Sequence, residues 1–109
     1  MHPIHLYHVT PTENIPSIVE RGLDPVFSKG KRPVIWLLSA QRVNWGLAHV
    51  SNRHKTPVNG LTLFYVTLDK GALLKTAWSG VFVSKTVIPV SDMDIAEIER
   101  WINDPDYSG

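Results

Sequence analysis

Between Leu6 and Leu23 the chain commits itself to both kinds of regular secondary structure, which constrains its fold more than any other feature. Leu6-Tyr7-His8-Val9-Thr10 is a short apolar strand that ends in an imidazole and a hydroxyl. The next residues read as a helix over about Glu13 to Arg21, with Thr12 as N-cap and Glu13 placing negative charge in the first turn. Ile15, Ile18 and Val19 fall at helical spacing, Pro16 sits early enough to be tolerated, and Gly22 supplies the left-handed position that stops the helix. A strand followed at once by a capped helix places polar groups at a strand end, where ligands are usually met.

The 109 residues suffice for one hydrophobic core and therefore one domain, 1–109. Nothing approaches the roughly 20 consecutive apolar residues of a membrane span, and the first residues lack the regions of a signal peptide, so the expected location is cytoplasmic, with no membrane partner. The absence of cysteine excludes disulfides, thiolate nucleophiles and Cys-based metal sites. A net charge of +1 gives no global pull toward nucleic acid. The cations cluster, however, at Lys29, Lys31 and Arg32 and again at Arg53, His54 and Lys55, as a polyanion or a dinucleotide's phosphates would require.

Beyond the first helix, Asp24 to Pro33 reads as an exposed loop and Val34 to Leu38 as a strand buried on both faces. Ser39 is placed to cap a helix from about Ala40 to Ser51, whose apolar stripe is Val43, Leu47 and Val50. A polar turn follows, and Leu61 to Thr67 alternates with the period of a strand. Asp69 caps a single turn through Leu74, Gly80 to Ser84 is another strand, and Val87 to Val90 is a short one broken by Pro89. Asp94 to Trp101 suits either a helix or an edge strand. The order of strands and helices does not alternate regularly, so the expected class is α+β with two to three short helices rather than a doubly wound sheet.

Three groups could carry chemistry. His8 and Thr10, two apart on a strand, share a face and can converge on one ligand, although a lone strand-end histidine is more often structural. His2, His5 and His8 do not share one strand face, and with no carboxylate nearby no metal site is expected. Arg32, leading the second strand, can grip a phosphate in bidentate fashion or simply be a solvated loop residue, and Trp36 is either core or a stacking surface. Arg53 and His54 complement the end of the second helix and offer positive charge beyond it. No P-loop, dinucleotide-binding glycine motif or nucleophile elbow is present.

Taken together, Leu6 to Thr10 and Asn14-Ile15-Pro16-Ser17-Ile18-Val19-Glu20-Arg21-Gly22-Leu23 resemble the opening of the NAD-binding fold in the ADP-ribosyltransferase-like superfamily. The nearest echoes are RNA 2′-phosphotransferases and DNA-targeting ADP-ribosyltransferase toxins. The likeness continues through Arg32 to Ser39, Arg53 to Val58, Ser79 to Val83 and Val87 to Pro89, covering about residues 4–93. It implies a split mixed or antiparallel sheet core and NAD as substrate, with no metal. Carried over by position, it implies His8 and Arg32 as catalytic residues, the latter on a phosphate or 2′-phosphate. His8, Val9, Thr10, Trp36, Ser39, Arg53 and His54 become cofactor-binding residues, with Trp36 against nicotinamide. The phosphotransferases carry a further N-terminal winged-helix lobe, and the likeness here starts directly at the NAD-binding lobe. Protein-modifying transferases and the DNA toxins usually carry a glutamate on a later strand, and Gly80 to Ser84 contains none.

The resemblance thus implies NAD-dependent ADP-ribosyl transfer or NAD cleavage, with RNA, DNA or a protein as acceptor and Glu97, Glu99 or His54 as candidate bases. Two alternatives stand beside it. One is a catalytically silent module that binds NAD, ADP-ribose or a nucleic-acid end. The other is a small interaction protein, such as a phage or plasmid factor, that keeps only the fold and anchors a partner through Trp45, Trp78 or Trp101.

Overall fold

The aromatic and branched residues of β1 (Pro3–Pro11), which place apolar side chains on both faces, suit a strand whose whole length pairs antiparallel with β3 (Leu61–Asp69), from Pro3↔Asp69 to Pro11↔Leu61. The computed structural model in which this pairing is seen describes residues 3–25 and 34–96. Arg32 and the other cations of its loop, together with Glu97, Glu99 and Trp101, lie outside the described residues.

Between the two strands come α1 (Ile15–Arg21), β2 (Ile35–Leu38) and α2 (Val43–His54). After β3 come β4 (Leu73–Lys75), β5 (Val81–Ser84) and β6 (Met93–Ala96). One six-stranded sheet in the order β4-β5-β2-β1-β3-β6 results, with every named pair antiparallel. The class is α+β in a single domain, and the sheet is antiparallel rather than mixed.

Several local expectations change for identifiable reasons. Thr12 does not cap α1. Its hydroxyl instead bonds the Thr62 hydroxyl at 2.9 Å, tying the end of β1 to β3, and a 3₁₀ turn at Thr12–Asn14 leads into the helix. Gly22 ends α1 as expected, at φ 75°, with its N–H on Ile18 O at 2.6 Å. A side chain there would meet the Ile88 carbonyl, so this backbone can turn only without a Cβ. Ser39 makes no capping bond to the turn that opens α2. The helix itself runs on to His54, because Lys55 adopts the left-handed conformation that closes it and Arg53 and His54 suit its C-terminal dipole.

Asp69 does cap a turn, through Gly71 N–H at 3.2 Å, but Leu73 to Lys75 then joins the open edge of β5 as a strand. Val87 to Val90 is not a strand of its own: Ile88 makes an isolated bridge to Leu23. The Asp94 region, where it is described, is the edge strand β6.

The two sheet faces carry separate cores. On one, Leu6, Leu37, Phe64 and Val66 pack with Ile18 of α1; on the other, Val9, Leu38, Leu63 and Val81 pack with Val43 and Leu47 of α2. The sheet's two halves meet between β1 and β2, where pairing is confined to Tyr7↔Leu38. From His8 onward β1 keeps β3 as partner and no longer pairs with β2.

Candidate functional site

A cavity of about 640 Å³ lies where the β1–β2 ladder would have continued. Side chains on a strand alternate faces, so a pocket resting on one face touches every second residue. Here the consecutive residues His8, Val9, Thr10 and Pro11 line it from β1, and Val34, Ile35 and Trp36 from in and before β2. The cavity therefore meets the edges of two parted strands, where backbone N–H and C=O groups are presented as they are at any sheet edge. Its size falls within the range of small-molecule and cofactor sites.

His8 stands at the start of the parting. Its Nδ1 lies 2.8 Å from Trp36 O. A carbonyl only accepts, so Nδ1–H is the donor and the neutral ring leaves its lone pair on Nε2. Among the described residues Nε2 has no protein partner, and it is not sealed from solvent. Burial pushes the His8 pKa below its ordinary value, against the smaller opposing pull of the Trp36 carbonyl, so the ring is neutral at pH 7.

Thr10, on the same face, is buried, and its Oγ1 accepts from Asn14 Nδ2 at 3.2 Å. The Thr10 hydroxyl is thereby left to donate. One acceptor and one donor, two residues apart, thus sit side by side on the parted edge.

Aromatic side chains form the opposite wall. Trp36 lies against Trp78, with ring centroids 6.4 Å apart and a 50° tilt, and Trp45 stacks on His49 at 5.1 Å. Arg53 and His54 reach the cavity from the last turn of α2, and Ser17, Arg21 and Asp24 from the α1 side. Asp24 supplies the only carboxylate among the described lining residues.

His8, Val9, Thr10, Trp36, Arg53 and His54, singled out from sequence, are thus brought to one cavity. Ser39 is not. Its N–H bonds Gly80 O at 2.8 Å, while its Oγ is buried against Gly80 with no hydrogen-bond partner among the described residues, because the chain turns there toward α2 and away from the opening. His5 is also apart, bonded to Thr67 Oγ1 at 3.0 Å and stacked on Tyr65. Among the described residues no group of metal-ligating side chains gathers, and no helix is long and apolar enough to cross a membrane.

Asn14, Trp45, His49 and Trp78 were not legible as lining residues. One signal was available: Trp45, His49 and Arg53 recur every four residues along α2, a polar-aromatic stripe beside the apolar one. No protein-family model matches the chain, and it has no match among curated proteins or solved structures.

Proposed function

We propose that the opening between β1 and β2 binds NAD, and that the chain cleaves NAD or transfers its ADP-ribosyl group to an acceptor. The observation that carries this reading is the pairing of a free His8 Nε2 acceptor with the Thr10 hydroxyl donor on the parted strand edge, in a cavity that Trp36 also lines. A ribose presents hydroxyls that can donate to the first and accept from the second, and a flat ring reaching through the opening to the α2 face finds Trp36. Arg53 and His54 are within the same cavity for the pyrophosphate. The resemblance assigns Arg32 to a phosphate as well.

In the reaction the bond between nicotinamide nitrogen and ribose C1′ breaks, and its electron pair leaves on nicotinamide as a neutral ring. The ribosyl oxocarbenium is captured by water, giving ADP-ribose, or by an acceptor nucleophile, and in either case the attacking group gives up one proton to solvent. His8 and Thr10 hold the ribose in the geometry from which the bond breaks, so that their hydrogen bonds are preorganised rather than formed at the barrier.

A second reading, a silent NAD or ADP-ribose binder, is favoured by one specific observation. The strand β5, Val81 to Ser84, has no carboxylate, and Asp24 is the only one among the described lining residues. Labelled NAD separates the two. Nicotinamide release that disappears in His8→Ala supports the enzyme. Saturable binding without release, weakened roughly tenfold in His8→Ala, supports the binder. Failure of both NAD and ADP-ribose to bind at millimolar concentration removes both readings and leaves the interaction protein.

A further inference from the structure

Trp78 is more than half exposed, yet the loop that carries it is pinned at several points. Thr76 Oγ1 donates to Val81 O at 2.8 Å and accepts from Trp78 N–H at 3.2 Å, while Val81 N–H bonds Trp78 O at 3.2 Å. These contacts are internal to the turn, whose base is tied to the sheet by the β4–β5 pairing and by Ser39 N–H on Gly80 O at 2.8 Å. A further tie, next to Trp78 itself, comes from Arg42, immediately before α2. Its Nε–H donates to Ser79 O at 2.7 Å, and its Cζ lies 5.8 Å from the centre of the Trp45 ring. Arg42 is half-buried, and no carboxylate pairs with it among the described residues. A guanidinium placed on a carbonyl and an indole, without an ion pair, is held there by those two contacts.

We infer that Arg42 is a positioning residue for the mouth of the cavity: through the Ser79 carbonyl it holds the Trp78 indole against Trp36, so that a ligand's flat ring meets two indoles rather than one. The inference rests on the NAD reading for the identity of that ring. Two rings that flank a third at van der Waals contact stand about 7 Å apart, twice the ~3.5 Å carbon–carbon distance. Trp36 and Trp78, at 6.4 Å and tilted, need only a small swing of the Trp78 turn to open that slot. Arg42 limits the swing while Trp45, beneath its guanidinium, continues the aromatic wall along α2.

Fluorine NMR of the full chain labelled with 5-fluorotryptophan reads the latch without any ligand, with the Trp78 line assigned by Trp78→Phe. In Arg42→Ala the Trp78 line narrows and moves toward that of a free indole. Arg42→Lys, which keeps the charge and stem but loses the guanidinium Nε–H, shows the same displacement at an unchanged melting temperature. NAD titration supplies the second arm: Arg42→Ala and Trp78→Ala each weaken binding roughly tenfold, and the double variant weakens it no further. An unmoved Trp78 line in both Arg42 variants overturns the latch, and losses that multiply in the double variant overturn the claim that Arg42 acts through Trp78. Absence of NAD saturation in the unaltered protein overturns the proposed function instead, while the fluorine lines still decide for or against the latch.

Discussion

The two edges of β1 are made from the same nine residues and have opposite fates. Toward β3 every residue is paired, and the side chains on both faces enter a core. Toward β2 one pair, Tyr7↔Leu38, closes the sheet, and a cavity takes the place of the rest. A closed ladder satisfies backbone groups with each other and so contributes to stability; a parted one keeps them for something else. The difference teaches that stability and the candidate chemistry occupy opposite sides of a single strand, and that one side can be altered with little effect on the other.

Hydrogen exchange attacks that contrast most directly. From His8 to Thr10, amides directed at β3 should exchange at least about a thousandfold more slowly than those directed at the opening, and NAD should slow only the second set. Uniform protection along β1 would show that the edges do not differ. On the closed side, Leu63→Ala removes a fully buried side chain and should cost about 3 kcal/mol in denaturant unfolding, with NAD affinity unchanged once the protein is folded. On the open side the pattern reverses: His8→Ala should lower NAD affinity roughly tenfold, the worth of about one hydrogen bond, and change stability by under about 1 kcal/mol.

The smallest effect is on pH. The pKa of His8 is lowered in the folded protein, so the unfolded chain binds its proton first. Its contribution to stability is therefore complete above the ordinary histidine pKa of about 6.5 and is lost as pH falls through the lower folded value. His8→Gln should flatten that acid limb in melts followed from pH 7 down to 5, and an unchanged slope would place the titration elsewhere.

Much of the scaffold is legible because it is written locally. The period of Leu61 to Thr67, the stripe Val43, Leu47 and Val50, and the stop at Gly22 each reflect neighbours in sequence, and each appears as an element or its end. The shared face of His8 and Thr10 follows from the same period of two. What sequence could not supply is partnership. Thr12 looks like a cap until Thr62, fifty residues away, takes its hydroxyl. Leu73 to Lys75 looks like the end of a turn until the edge of β5 offers it a ladder. The opening itself is a strand pairing that does not form, and no residue in β1 or β2 announces it. Trp78 and Asn14 reach the cavity only because loop and helix are carried there by that topology. Their own neighbours in sequence give no sign of it.

One glycine gives the cavity its gauge. Gly46 turns the bare backbone of α2 toward Leu38, so closely that an added methyl would collide with the end of the leucine side chain, and both residues line the cavity. The close approach of helix to strand at this point, and with it the breadth of the chamber beside it, thus depends on a missing side chain. A single carbon added at Gly46 would act as a shim, changing the width of the chamber and shifting His49, Arg53 and His54, which ride on the same helix.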